Sequence, residues 1–162
     1  MRTMKQALVL TLALAALSAA YAEIKIKQWP KPGEKVSEKS WKYIRMTSGK
    51  KTFAIRYRGG EVGLGPKQTN WYGGGFLYVE YGKSSSVKKP VKVELVKSEP
   101  AEAQVTATWE MDEGTAVATF TFRDGDDKLW LSVKMPQAGK GRVRLRSYPS
   151  DFAGGWKLGE KI

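Results

Sequence analysis

The chain has 162 residues, with no histidine and no cysteine, and its 28 basic residues against 16 acidic ones give a net charge of +12. The missing residue types exclude disulfides, thiol catalysis, cysteine-ligated zinc and every catalytic pair that uses histidine as its base. No glycine-rich motif of the GxGxxG or GxxxxGK[ST] type occurs, which argues against a Rossmann-type or kinase-type enzyme. The length is that of one ordinary domain.

The N-terminal segment has the three parts of a secretory signal peptide. Arg2 and Lys5 form a short positive region, residues 7–17 form an uncharged apolar run, and residues 20–22 read Ala-Tyr-Ala, an A-x-A cleavage signal. The apolar run is shorter than the roughly 20 residues that cross a bilayer. We therefore expect cleavage after Ala22 and export to the periplasm or the medium. The mature chain would keep 26 basic and 16 acidic residues, a net charge of +10.

The rest of the chain alternates between apolar and polar residues in a way that predicts β-strands. Shorter strands are expected near residues 24–26, 41–44, 53–57, 76–81 and 91–95. Clearer alternation follows in residues 101–111, 114–122, 129–135 and 142–146, which together predict a four-stranded antiparallel meander over 101–148. We expect an all-β fold, an antiparallel β-sandwich or jelly roll of about nine or ten strands with essentially no helix. It would form one domain over residues 23–162, with an irregular tail at 149–162.

A cluster of aromatic residues and glycines lies between the upstream strands. Trp71 and Tyr72 precede three consecutive glycines. Aromatic rings stack on the C–H faces of sugars, and glycines let a ligand approach the backbone closely. Trp71 and Tyr72 are therefore candidate ligand-binding residues. The alternative is a glycine-rich loop whose aromatic side chains belong to the core.

A second candidate site is basic. Arg142, Arg144 and Arg146 recur at a spacing of two, which places them on one side of a strand about 7 Å apart. Such a ladder fits a polyanion with regularly spaced carboxylates or sulfates. Trp130 would project from the polar face of the preceding strand and is included in the candidate site. The alternative is an ordinary solvated outer face.

Acidic and catalytic patterns are weaker. Asp124, Asp126 and Asp127 resemble a calcium loop but lack its later bidentate glutamate, and a hairpin turn explains them as well. A histidine-free polysaccharide lyase could use Tyr78 or Tyr148 as its base. No recognisable motif supports that chemistry, so we assign no catalytic residue, metal or cofactor.

The segment from Lys51 to Tyr148 resembles the galactose-mutarotase-like, carbohydrate-binding β-sandwich superfamily. The residues that carry the resemblance are QVTATWEMDEGTAVATFTFRDGDDKLWLSVKM and the RVRLRSYP strand after it. The resemblance implies a β-sandwich with a binding or structural role. Mutarotases of that family rely on histidine together with a carboxylate, so their activity is not implied for a chain without histidine.

These observations lead us to expect a secreted, non-catalytic β-sandwich that binds a glycan, with an acidic polysaccharide or another polyanion as the expected ligand. A cell-envelope structural or protein-interaction domain is one alternative, and a histidine-free lyase or hydrolase is another. Nucleic acid is not expected as a specific partner, because an exported protein would meet it rarely. The positive charge alone would permit non-specific binding.

Overall fold

The computed structural model describes residues 23–65, 76–136 and 141–145. These ranges contain eleven strands and one short 3-10 turn. They are β1 (Lys25–Trp29), β2 (Lys42–Ser48), β3 (Lys51–Arg58), β4 (Glu61–Gly65), β5 (Leu77–Tyr81), β6 (Ser84–Ser85), the 3-10 turn (Ser86–Lys88), β7 (Val91–Ser98), β8 (Glu102–Met111), β9 (Gly114–Arg123), β10 (Leu129–Lys134) and β11 (Gly141–Leu145).

The strands form two antiparallel sheets. Sheet A has the order β1-β2-β3-β4-β5-β11, with β6 paired to β5, and sheet B has the order β10-β9-β8-β7. The prediction of an all-β antiparallel sandwich with essentially no helix is therefore confirmed. No helix within the described ranges is long and apolar enough to cross a membrane.

The core lies between the two sheets because apolar residues alternate with polar ones along the central strands. On β8, residues Ala103, Val105, Ala107 and Trp109 are fully buried, while the residues that alternate with them face outward. Phe53 of sheet A meets Phe122 of sheet B edge to face, with ring centroids 5.3 Å apart. Such contacts join the inner faces into one hydrophobic core.

One part of the predicted meander is wrong. Strands β8, β9 and β10 are consecutive neighbours in sheet B, as expected. The fourth strand, β11, lies in sheet A and pairs with β5. Its Val143 and Leu145 align with the buried Val79 and Leu77, and that match of apolar residues suits sheet A. The signal segment and the tail at 149–162 lie outside the described residues.

Candidate functional site

The two outer faces of the sandwich differ in charge and aromatic content. On the described part of sheet A, seven cations, two carboxylates and four aromatic rings lie on the side away from the core. The cations are Lys25, Lys27, Arg45, Arg56, Arg58, Arg142 and Arg144; the carboxylates are Glu61 and Glu80; the rings are Trp29, Trp41, Tyr43 and Tyr78. We call this surface the cationic face. Its excess of positive charge makes it the surface best suited to an anionic ligand.

The outer face of sheet B is dominated by threonine, and its charges are largely paired with each other. Ion pairs join Lys92 to Glu94 at 2.9 Å and Arg123 to Glu102 at 3.0 Å. Glu102 also accepts a hydrogen bond from Lys97 at 3.1 Å. Because each of these cations has a carboxylate beside it, sheet B offers little excess positive charge to a ligand.

Trp41 lies next to two arginines of the cationic face. The guanidinium carbon of Arg56 lies 4.7 Å from the centroid of the Trp41 ring, and that of Arg58 lies 4.6 Å from it. These are distances at which a cation is attracted to the π-system of an indole. Arg56 and Arg58 are two residues apart on β3, so both side chains project to the same side of the sheet as Trp41.

Two features hold Trp41, Arg56 and Arg58 in place, namely the glycine opposite Arg56 and the burial of Arg56. Gly63 lies opposite Arg56 on β4, and a Cβ at Gly63 would lie 3.8 Å from Cζ3 of Trp41. The indole therefore extends across β3 to the bare backbone of β4. Arg56 is only 7% exposed, and this burial, followed by the nearby charge of Arg58, lowers the pKa of its guanidinium. Arg56 remains a cation, and its buried guanidinium packs against the Trp41 ring.

Arg58 is held by a carboxylate on the adjacent strand. Its Nη2 donates to Oε2 of Glu61 at 2.8 Å, and its Nε donates to the same oxygen at 3.3 Å. A guanidinium has five N–H donors, so this pairing fixes the plane of Arg58 while using two of them. Arg58 and Glu61 are partly exposed.

An open cleft of about 440 Å³ lies beside this pair. It is lined by Glu38, Lys39, Arg58, Gly59, Gly60, Glu61 and Val87. The cleft thus combines cations, carboxylates and the backbone of a glycine turn, and it adjoins the indole of Trp41 through Arg58. A flat ring next to a polar cleft is an arrangement that suits a sugar ring with charged or hydroxyl substituents.

The turn that carries the cleft is anchored to sheet B and to the 3-10 turn. Val91 N–H donates to the carbonyl of Gly59 at 2.8 Å, and Nε1 of Trp109 donates to that of Gly60 at 3.0 Å. A Cβ at Gly60 would overlap the carbonyl oxygens of Ser86 and Lys89. The position of Arg58 and Glu61 at the ends of β3 and β4 is therefore set by the core.

Two residues of the predicted arginine ladder lie at the edge of the cationic face. Arg144 forms an ion pair with Glu80 of β5, and its guanidinium carbon lies 5.8 Å from the Tyr78 ring. Arg142 lies 4.0 Å from the same carboxylate. The Arg142 and Arg144 side chains are nevertheless 73% and 57% exposed. Glu80 thus partly neutralises the positive charge of Arg142 and Arg144, while both side chains stay exposed to solvent.

The structure does not bring Trp130 to the same surface. Trp130 lies on the outer face of sheet B, where its Nε1 donates to Asp126 at 2.8 Å and Arg123 approaches its ring at 5.8 Å. The strands on either side of residues 137–140 belong to different sheets, so Trp130 and the β11 arginines face opposite ways. Trp71, Tyr72 and Arg146 lie outside the described residues.

Two carboxylates of the acidic turn already have partners inside the molecule. Asp126 accepts the hydrogen bond from Trp130 described above, and Asp124 accepts one from the hydroxyl of Ser48. Ser48 ends β2, so the second contact ties the turn after β9 to sheet A. These contacts agree with the hairpin interpretation of the turn.

Sequence reasoning missed Trp41 as a site residue. Trp41 precedes β2 and was expected only to begin a strand. The available signal was the pair Arg56 and Arg58, whose spacing of two indicates that they share one side of a strand. A comparison with known proteins found no family model that matches the chain, and no curated protein or solved structure significantly similar to it.

Proposed function

We propose that the protein binds an acidic glycan on the cationic face of sheet A and does not turn it over. The observation that carries the proposal is the group formed by Trp41, Arg58 and Glu61 beside the 440 Å³ cleft. The resemblance to the galactose-mutarotase-like, carbohydrate-binding superfamily, whose implied role is binding or structural, is part of the same proposal. So is export, which would give the protein access to extracellular polysaccharide.

Each residue of the group has a distinct part in the proposed complex. The Trp41 ring offers an apolar surface for the C–H face of a sugar. Arg58 uses its remaining N–H donors for a carboxylate or sulfate group, which it can bind in a bidentate manner. Glu61 keeps the guanidinium oriented and accepts hydrogen bonds from sugar hydroxyls. Binding in this way would cost little conformational entropy, because the β3–β4 turn already holds the side chains of the site in place.

Arg142 and Arg144 extend the proposed site along the sheet. They lie two strands beyond β4, on the far side of β5, and adjacent strands are about 4.8 Å apart. A polymer crossing the strands from Arg58 would thus meet their guanidinium groups after roughly 14 Å. We infer a ligand several sugar units long, with acidic groups at more than one position.

The proposal is tested by binding to alginate, to a sulfated polysaccharide and to a neutral glucan. The double variant Trp41→Ala with Arg58→Gln is compared with Trp130→Ala with Arg123→Gln. The second pair is a matched control, because it removes another tryptophan and its neighbouring arginine from sheet B. Circular dichroism and thermal unfolding establish that each variant is folded.

We expect the sheet A variant to bind the acidic polymers at least tenfold more weakly than the native chain. The sheet B variant should bind them with nearly native affinity. Binding should weaken as salt rises from about 0.05 to 0.5 M, because exposed charges are then screened. Equal losses in the two variants would indicate a diffuse charge effect and contradict a site on sheet A. If the native chain bound the neutral glucan as tightly as the acidic polymers, the proposal that the ligand is acidic would be contradicted.

A further inference from the structure

The edge strand β11 offers a second kind of binding surface. One side of β11 pairs with β5, and within the described residues no strand pairs with its other side. An unpaired strand edge presents backbone N–H and C=O groups that can add another strand. The other edges of the sandwich, β1, β7 and β10, carry lysines, which discourage such pairing.

The side of β11 that faces inward is apolar and incompletely covered. Val143 and Leu145 are 41% and 54% exposed, although their partners Val79 and Leu77 on β5 are fully buried. Among the described residues, sheet A is six strands wide along its main path and sheet B four, and the inner side of β11 is less covered than that of β5. An added strand would place its own apolar side chains next to Val143 and Leu145 and reduce that exposure.

The opposite side of β11 is basic and indicates the charge of the partner. Arg142 and Arg144 lie there, both largely exposed. On the paired edge, β5 already supplies a complementary sequence. Glu80 lies opposite Arg142, while Val79 and Leu77 lie opposite Val143 and Leu145. A strand that alternates acidic and apolar residues would repeat this pattern on the side of β11 with which no described strand pairs, here called the free edge.

A second copy of the chain does not fit this edge as well. Two β11 strands paired antiparallel about Val143 would place Arg142 of one copy directly opposite Arg144 of the other. Like charges in directly opposed positions destabilise a strand pair. The arginines therefore act against self-pairing while favouring an acidic partner.

We propose that the free edge of β11 binds an extended acidic peptide segment of a partner protein by strand addition. Backbone hydrogen bonds would supply affinity, and the alternating side chains would supply specificity. Carboxylates of the partner would lie opposite Arg142 and Arg144, and its apolar side chains would lie opposite Val143 and Leu145. The peptide would share Arg142 and Arg144 with the proposed glycan site. Its binding also depends on the inward-facing Val143 and Leu145, which the glycan proposal does not use.

The test uses the full chain and a fluorescently labelled synthetic peptide that alternates leucine or valine with glutamate. One control peptide has lysine in place of every glutamate, and another has proline at its centre, which removes a backbone donor. Fluorescence anisotropy measures affinity. Hydrogen exchange of the amides in residues 141–145 locates the binding site.

Two variants separate the proposed contacts. Arg142→Glu with Arg144→Glu should reverse the preference, so that the lysine peptide binds at least tenfold better than the glutamate peptide. Val143→Thr with Leu145→Thr keeps both arginines and a strong β-propensity. This variant should bind the glutamate peptide at least fivefold more weakly and leave polysaccharide binding unchanged.

We expect the glutamate peptide to bind the native chain and to slow exchange at β11, with the proline peptide binding at least tenfold more weakly. Unchanged preference in the charge-reversed variant would overturn the proposal. So would failure of the glutamate peptide to bind the native chain. If the glutamate peptide does not bind and the β11 amides are already protected in the free protein, the edge is occupied by something else. Sedimentation then shows whether that is a second copy of the chain or the chain's own residues.

Discussion

The indole Nε1 of Trp109 donates a hydrogen bond to the carbonyl oxygen of Gly60 at 3.0 Å. Trp109 is fully buried in sheet B, and Gly60 lies in the turn between β3 and β4 of sheet A. A core residue of one sheet thus fixes the turn that carries Arg58 and Glu61. The proposed glycan site is therefore built on a rigid part of the sandwich, where side chains lose little freedom on binding.

Replacing Trp109 by phenylalanine should destabilise the protein. The change removes buried ring volume and leaves the Gly60 carbonyl without this donor, which together lowers the free energy of unfolding by about 2–4 kcal/mol. Urea denaturation measures it. Trp130→Phe is the control, and because Trp130 is 49% exposed we expect a change within about 0.5 kcal/mol. Similar losses at both positions would contradict an anchoring role for Trp109.

The glycines Gly60 and Gly63 should respond differently to alanine. At Gly60 the added Cβ would overlap the backbone carbonyls of Ser86 and Lys89, whereas at Gly63 its nearest neighbour lies at 3.7 Å, an ordinary contact. Gly60→Ala should lower the free energy of unfolding by about 2 kcal/mol or more, through overpacking against backbone. Gly63→Ala should have little effect. A Gly60→Ala variant as stable as Gly63→Ala would show that the turn is not tightly packed.

The stability of the protein should fall in acid. Lys89 and the Ser84 hydroxyl lower the pKa of Asp112 below its ordinary value of 3.8, and Arg123 and Lys97 lower the pKa of Glu102 below 4.5. Each carboxylate binds its proton less readily when folded. Its contribution is therefore complete above its ordinary pKa and is lost as the pH falls through the lowered one.

The measurement is the free energy of unfolding between about pH 5 and pH 2, for the native chain and for Asp112→Asn with Glu102→Gln. The variant should lose less stability across that range, because the two groups no longer titrate. Parallel pH profiles would show that neither carboxylate contributes to the acid sensitivity.

The N-terminal processing prediction concerns the exported protein. If residues 1–22 are a signal peptide, the mature protein should begin at Glu23. Intact-mass measurement on protein recovered from the periplasm or the medium checks this. A product that keeps Met1 would contradict the secretory interpretation and remove export from the proposed function.

The sequence predicts the elements of this fold better than their partners. Strands β8 and β9 follow from alternation of apolar and polar residues, which Val117 alone interrupts in β9. Alternation also identifies β11, but it does not reveal which sheet the strand joins. That choice depends on Leu77 and Val79, far away in sequence, and for this reason β11 was assigned to the wrong sheet.

The candidate site was harder to predict for a related reason. Trp41 precedes its strand and has no alternating pattern around it, so its contacts with Arg56 and Arg58 depend on the β2–β3 register. Residues 83–89 are polar and basic except for Val87, yet Ser86 is fully buried and its hydroxyl accepts a hydrogen bond from Val79 N–H at 3.1 Å. Serine is small enough to be buried when such a partner exists, and composition does not reveal the partner.

The most direct test of glycan binding on sheet A is a nuclear magnetic resonance titration with a short alginate oligosaccharide, in which shifts of assigned side-chain and backbone signals locate the ligand. We predict saturable shifts at the indole N–H of Trp41, at Arg58 and at Gly63, with the indole N–H of Trp130 unchanged. Shifts centred on Trp130 and the threonine-rich face of sheet B, or shifts that do not saturate, would contradict the account.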